Sequence, residues 1–97
     1  MRLLSSRPFI QGVTAGVQVF PAGSVGRVAH VLVAADAADV AVDLYNGTSA
    51  SDPKITPTIR VLSTTKFGGA SGIYALFTDG VFAVVSGAGG EAGIYID

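Results

Sequence analysis

The chain has 97 residues, 49% of them hydrophobic and 13% charged, and its formal net charge at pH 7 is -1. This length suits one domain, and the apolar fraction excludes an intrinsically disordered chain. Six basic residues are balanced by seven acidic ones, which excludes a nucleic-acid binder that works through net positive charge. With no cysteine and one histidine, His30, the sequence offers no disulfide, thiolate zinc site or multi-histidine centre. We therefore expect no metal and no cofactor.

Residue usage favours strands over helices. Valine, isoleucine and threonine together number 26, against 16 for leucine, methionine, glutamate, glutamine, lysine and arginine. The 13 glycines and four prolines would interrupt most helices. We predict an all-β protein, a small antiparallel β-sandwich of the jelly-roll or immunoglobulin-like type with about six to eight strands, and a small β-barrel as the alternative.

Residues 1–12 are predicted to form an N-terminal arm, and residues 13–97 to form the single β-sandwich domain. The apolar run near the start is too short for a signal peptide, so we expect synthesis in the cytoplasm. The polar, proline-containing stretch at residues 5–8 discourages regular structure. We predict that the arm docks on a neighbouring subunit through its apolar side chains, Leu3, Leu4, Phe9 and Ile10.

The first predicted strand ends at residue 20. Val17 and Val19 lie on one of its faces, as alternation along a half-buried strand requires. The Pro-Ala-Gly sequence at residues 21–23 then predicts a turn.

Residues 25–35 form the second predicted strand. Both of its faces are largely apolar, which predicts a central strand covered on both sides. A helix over residues 29–42 is the alternative. The β-branched residues and the polar break at residues 36–39 favour strand, turn and strand instead.

The middle of the chain contains two further predicted strands. Residues 40–45 alternate between apolar and wetter positions and end at Asn46-Gly47, a turn sequence. A loop follows, and residues 58–62 predict a short strand. Residues 66–72 are predicted to be a glycine-rich link.

The C-terminal part is predicted to contain a β-hairpin. Residues 73–78 and 81–86 alternate in hydrophobicity, and Asp79-Gly80 between them is a strong turn signal. Residues 92–96 are predicted to form the last strand.

Three patterns that could carry chemistry have simpler interpretations. The glycine run at residues 87–90 is followed by a β-patterned segment, whereas a phosphate-binding loop opens a helix, so we predict a flexible turn. Asp36, Asp39 and Asp43 lack the spacing of a calcium loop, and the first two are typical of turns. His30 lies among valines, which favours a hydrogen-bonded core or interface residue over a catalyst.

The apolar content exceeds what a domain of this size can bury. A small domain buries only about 60–65% of its unfolded surface, and the mean hydropathy here is +0.56. Covering about 400 Å² of apolar surface between subunits would contribute about 10 kcal/mol before association costs. We therefore expect self-association. Phe67 and Tyr74, which lie among glycines, are the predicted contacts outside the arm.

A resemblance spans about half of the chain, from residue 43 through the glycine-turn hairpin to residue 97, and two segments of this stretch carry it. The sequences DLYNGTSASDPKI, at residues 43–55, and GVFAVVSGAGGEAGIYID, at residues 80–97, resemble those of small β-sandwich structural proteins of tailed bacteriophage virions. The resemblance implies a non-enzymatic, multicopy virion protein made in the host cytoplasm. It would be a capsid decoration or cement protein, or a subunit associated with the neck or tail. The implied partners are further copies of the chain and virion proteins such as the major capsid protein, with no nucleic acid and no membrane.

The alternative is a small carbohydrate-binding or host-surface-binding module. Such a module would use exposed tyrosines and the loop at residues 46–52. No nucleophile, general base or metal set supports an enzyme, so we expect none.

Overall fold

The computed structural model describes residues 5–11 by their backbone and residues 16–96 in full. These residues form eight β-strands and no helix. The strands are β1 Ser5–Gln11, β2 Val17–Phe20, β3 Gly26–Ala34, β4 Val40–Tyr45, β5 Ile59–Val61, β6 Phe67–Phe77, β7 Val81–Ser86 and β8 Glu91–Ile96.

The strands form two four-stranded antiparallel sheets. The first sheet has the order β1-β8-β3-β6, and the second has the order β2-β7-β4-β5. Each strand of the first half of the chain pairs with one of the second half: β1 with β8, β2 with β7, β3 with β6, and β4 with β5. The chain thus runs as one long antiparallel ribbon wrapped into two sheets, which is the jelly-roll arrangement. The predicted small β-sandwich is confirmed.

The hydrophobic core lies between the two sheets. In β4 and β7, buried and half-buried residues alternate strictly, as expected of strands with one face on a core. At one end, the rings of Phe20 and Phe77 stack with their centroids 6.1 Å apart. Each fully buried side chain of this size contributes about 1.5–3 kcal/mol. The largest are Phe77, Leu44, Ile94, Val28, Val31, Val33, Val40, Val42, Val81 and Val85.

The prediction that residues 25–35 are covered on both faces is wrong. β3 is central in the first sheet, between β8 and β6. Val31 and Val33 face the core and are buried, but Leu32 between them is more than half exposed. Alternation separates Val31 and Val33 from Leu32 correctly, but it wrongly groups Val28 with Leu32, because the irregularity at Ala29 turns Val28 into the core. No described part of the chain covers the second face.

The predicted hairpin at Asp79-Gly80 is also wrong, because β6 and β7 belong to different sheets. Gly80 has a φ of +86°, so the sequence does mark a turn that needs glycine. The turn carries the chain from one sheet to the other. Asp79 Oδ1 accepts a hydrogen bond from the Gly23 N–H at 2.9 Å, and the Gly80 N–H donates to the Ser24 carbonyl at 2.9 Å. The corner is therefore held against the turn that follows β2.

Residues 66–72 are not a link, because β6 begins at Phe67 and pairs with β3 along its length. Glycine weakens a strand signal, but here one glycine has a packing role. A Cβ atom at Gly68 would lie 2.9 Å from Val61 Cγ2 of β5. The pairing shifts once, where residues 72–74 of β6 lie opposite Ala29 alone. This bulge bends the free edge of the first sheet.

The predicted arm contains β1. Residues 5–11 pair with β8 at the other edge of the first sheet, so the expected irregular structure at residues 5–8 is wrong. The register shifts between Arg7 and Ile10, around Pro8, and proline is accommodated in sheets at such edge irregularities. Phe9 and Ile10 lie in β1, whereas Leu3 and Leu4 lie outside the described residues. Docking of the arm on a neighbouring subunit stays a prediction.

Candidate functional site

The first sheet presents a mainly apolar outer face to solvent. Paired residues of neighbouring strands point to the same side of a sheet, so the register of β3, β6 and β8 identifies the outward side chains. Three large apolar side chains among them are mostly exposed: Leu32 at 55%, Leu76 at 62% and Phe67 at 74%. We define the outer face by these residues: Arg27, His30, Leu32, Ala34, Phe67, Leu76, Glu91, Gly93 and Tyr95.

A groove of about 250 Å³ crosses one end of the outer face. Its lining includes Leu32, Ala34, Phe67, Glu91, Gly93 and Tyr95. The Tyr95 ring lies over Gly93, since a Cβ atom at Gly93 would be 3.3 Å from Tyr95 Cε2 and Oη. The glycine thus makes room for a ring that lies flat on the strand. The groove combines two aromatic walls with one carboxylate.

Opposite charges stand at the two ends of the outer face. Glu91 pairs with Ala34 at the end of β3, whereas Arg27 lies near its start and pairs with Leu76. Ala34 lies seven positions after Arg27 in β3, a distance of about 23 Å along the strand. Within the described chain, neither charged side chain has an ion-pair partner. The face therefore carries a positive end and a negative end.

His30 lies in the middle of the outer face, beside the bulge of β6. Its Nδ1 atom accepts a hydrogen bond from the Gly72 N–H at 3.2 Å. The Tyr74 ring meets the imidazole edge to face, with centroids 6.4 Å apart, and Tyr74 has a φ of +48°. A bulky residue in this conformation is strained. The predicted role of His30 as a hydrogen-bonded residue fits this arrangement.

In the loop at residues 46–52, which the carbohydrate-binding alternative would use, polar side chains are engaged in hydrogen bonds to backbone N–H groups. Asn46 Oδ1 accepts hydrogen bonds from the N–H groups of Thr78 and Asp79, at 3.0 and 2.9 Å. Asp52 Oδ2 accepts from the N–H groups of Thr48 and Ser49, at 2.9 and 3.1 Å. The polar side chains therefore fix the loop and the corner between the sheets.

A second polar cluster lies on β4 and the segment before β5. Lys54 Nζ lies 3.0 Å from Asp43 Oδ1 and donates to Thr58 Oγ1 at 2.7 Å, while the Thr58 hydroxyl donates to Asp43. Burial raises the pKa of Asp43, but the hydrogen bonds from Thr58 and Lys54 and the charges of Lys54 and Arg60 together lower it below its ordinary value. The cluster ties the segment before β5 to β4.

Other kinds of site have little support in the described residues. A second cavity, of about 390 Å³, opens between β6 and residues 55–59, and isoleucines, alanines and threonines make up most of its lining. Among residues 16–96, His, Asp and Glu side chains nowhere cluster in threes as a metal site would need. In the part of the chain that the structure describes, no helix is long and apolar enough to cross a membrane.

The structure locates the predicted contacts at different points of β6. Phe67 stands on the outer face at the groove, and Tyr74 lies in the bulge beside His30. Sequence reasoning missed the other members of the face, above all Arg27, Leu76 and Glu91. The bulge interrupts the two-residue alternation of β3 and β6, so alternation alone would assign Arg27 and Leu76 to the opposite face. For Glu91, the signal was the alternation along β8. It became informative only once the uncovered face of β3 was known.

Comparison of the chain with protein-family models, curated proteins and solved structures finds no match.

Proposed function

We propose that the protein is a non-enzymatic structural subunit of a bacteriophage virion that acts by association with other protein surfaces. In its simplest form it is a multicopy capsid decoration or cement protein. A neck- or tail-associated subunit is the alternative position. Its partners are other copies of the chain and virion proteins such as the major capsid protein.

The open outer face of the first sheet is the observation that carries this proposal. Leu32, Phe67 and Leu76 expose more than half of their area on one side of one sheet. Large contiguous apolar patches on small soluble domains mark interaction surfaces. An open sheet face suits packing against another protein, and repetition around a particle multiplies a modest interface.

The fold and the turn-rich segments support the same proposal by analogy. Jelly rolls occur in viral capsid domains, but they also occur in lectins and cupins, so the fold alone does not select a function. The resemblance of residues 43–55 and 80–97 to virion proteins favours the first of these settings.

The proposal is tested by following the chain through particle purification. Particles from cells that make the tagged protein are banded on a density gradient, and its copy number is measured against the major capsid protein. We expect many copies per particle, and reduced resistance to heat or chelator in particles that lack the protein. Recovery only in the fraction free of particles, with normal particles formed in its absence, would overturn the proposal.

A second candidate function is carbohydrate binding, and the groove is the observation that favours it. Phe67 and Tyr95 could stack on sugar rings, and Glu91 could accept hydrogen bonds from hydroxyl groups. A glycan array tests this function directly. Specific binding that Tyr95→Ala and Glu91→Gln both abolish would establish it, and a blank array would exclude it for the glycans tested.

A further inference from the structure

We propose that the outer face of the first sheet binds the same face of a second copy of this chain, and that Arg27 of each copy enters the groove of the other and pairs with Glu91. This inference rests on the proposed function and names one of its partners. It follows from the positions of the charges, the positions of the exposed apolar side chains and the shape of the groove.

The charges determine how two copies would be oriented. Two sheets that meet face to face through a two-fold axis have that axis in the plane between them. An axis parallel to the strands would place like charges over each other at both ends. An axis across the strands instead reverses the strand direction and places Arg27 over the end that carries Glu91. Electrostatic complementarity selects the second arrangement, with two equivalent ion pairs.

The same rotation brings the exposed apolar side chains together. Leu76 pairs with Arg27 at one end of the face, and Phe67 pairs with Ala34 at the other. An axis across the strands keeps β6 over β6 and exchanges its ends, so Leu76 of each copy meets Phe67 of the other. On β3 the rotation that places Arg27 over Ala34 is centred at Val31, so Leu32 of each copy meets His30 of the other. A single two-fold interface thus covers the side chains with the largest exposed fractions on this face.

The groove has the chemistry that an arginine side chain needs. Arginine has an apolar stem and a planar cation that stacks on aromatic rings and forms paired hydrogen bonds with a carboxylate. The groove supplies Phe67 and Tyr95 as walls, Leu32 and Ala34 as an apolar floor and Glu91 as the carboxylate. Arg27 is the only lysine or arginine among the described residues of β3, β6 and β8.

The size of the face is sufficient for a reversible dimer. Four strands spaced about 4.8 Å apart and six to eleven residues long cover about 380–700 Å² per copy. Stable interfaces of ordinary size bury about 800 Å² per partner. We therefore expect a dimer that forms at micromolar concentrations and dissociates on dilution.

The experiment is a charge exchange between two variants of the full chain, followed by sedimentation velocity over a range of concentrations. Arg27→Glu alone and Glu91→Arg alone should each place like charges together at both ends, and each should raise the dissociation constant about tenfold or more. A mixture of the two variants should form a heterodimer at near-native affinity, because both of its ion pairs are then complementary. The double variant R27E/E91R should also dimerise.

Controls separate this inference from the proposed function. Arg60→Glu makes the same change on β5 of the second sheet and should leave the dimer intact. A native chain that stays monomeric at millimolar concentration overturns the face-to-face dimer. So does a mixture that associates no better than the single variants. Either result leaves the virion assignment to the particle experiment, which does not depend on dimers in solution.

Discussion

At the scale of single residues, Gly80 and Gly23 form a matched pair. Both have positive φ, +86° and +84°, but their surroundings differ. A Cβ atom at Gly80 would collide with the carbonyl oxygens of Phe20 and Pro21, whereas one at Gly23 would meet nothing within 4 Å. Gly80→Ala therefore combines backbone strain with a clash against rigid backbone, and Gly23→Ala has the strain alone.

We expect Gly23→Ala to lower the free energy of unfolding by about 1 kcal/mol and Gly80→Ala to lower it by at least about 2–3 kcal/mol. Urea denaturation of both variants measures the difference. Equal effects would show that the corner between the sheets relaxes around the added methyl group.

The environment of Asp43 predicts how the stability of the fold depends on pH. Its pKa is lower in the folded protein than its ordinary value, so its charged form stabilises the fold above about pH 3.9. That contribution is lost as the pH falls from there through the pKa of the folded state. Because the Lys54–Asp43 pair is partly exposed, we expect Asp43→Asn to cost only about 0.2–1 kcal/mol at pH 7. The variant and the native protein should converge once the pH is below the pKa of Asp43 in the folded state. A difference of unchanged size below that pKa would contradict this assignment.

At the scale of elements, β6 is where sequence reasoning succeeded and failed most clearly. The alternation of residues 73–78 correctly indicated a strand, and Gly80 correctly indicated a turn. The glycines at residues 68, 69 and 72 hid the first half of the strand, because their roles depend on contacts that the sequence does not reveal: the Val61 side chain, the Val31 backbone and the bulge, respectively. The pairing partner could not be predicted either, since a turn between sheets and a hairpin turn both need positive φ.

The candidate site was less predictable than the fold. Inward residues such as Val31 can be recognised from the sequence, because valines at every second position indicate a strand with one face buried in a core. Outward residues such as Leu32 are equally hydrophobic. Only the three-dimensional arrangement shows that no described part of the chain covers their face and that they are exposed to solvent. Phe67 was expected at an interface because it seemed to have no place in a core, and it is exposed.

β6 begins and ends with phenylalanine, and the two rings have opposite environments. Phe67 is 74% exposed, and Phe77 is fully buried against Phe20. We expect Phe67→Ala to change monomer stability by less than about 0.5 kcal/mol and to weaken self-association. Phe77→Ala should lower stability by about 3–5 kcal/mol. Chemical denaturation and sedimentation measure both effects, and a large loss of stability in Phe67→Ala would assign that ring to the core.

β1 makes a separate prediction. Deleting residues 1–8 removes three of its five paired positions and leaves β8 joined to β3. The described core residues and the hydrophobic residues packed against them all lie at Val17 or later. We therefore expect a cooperative fold with a melting temperature lowered by about 5–10 °C, and weaker assembly if the arm docks on a neighbour. Circular dichroism and gel filtration distinguish these effects, and complete loss of folding would refute the arm.

At the scale of the whole molecule, the accessible surface of 4998 Å² is close to the area of about 5,200 Å² that a folded monomer of this mass exposes. The monomer therefore has a complete core, and three of its exposed large hydrophobic side chains, Leu32, Phe67 and Leu76, lie together on the outer face. We expect dilution to give folded monomers, seen as a falling sedimentation coefficient with an unchanged circular dichroism spectrum. Unfolding that accompanies dissociation would instead indicate an obligate oligomer.

The wrapped ribbon also has a consequence for the order of folding. Paired residues are separated by 17 positions where Val42 meets Ile59, and by 91 where Ser5 meets Ile96. The entropy of loop closure favours the shortest connection, so β4 and β5 should pair first and pairing should then proceed outward to β1 and β8. Such a high contact order predicts folding in milliseconds to seconds. Pulse-labelling hydrogen exchange should find the amides of β4 protected before those of β8. The edge that joins the two ends of the chain would then be the last to close and the first to open.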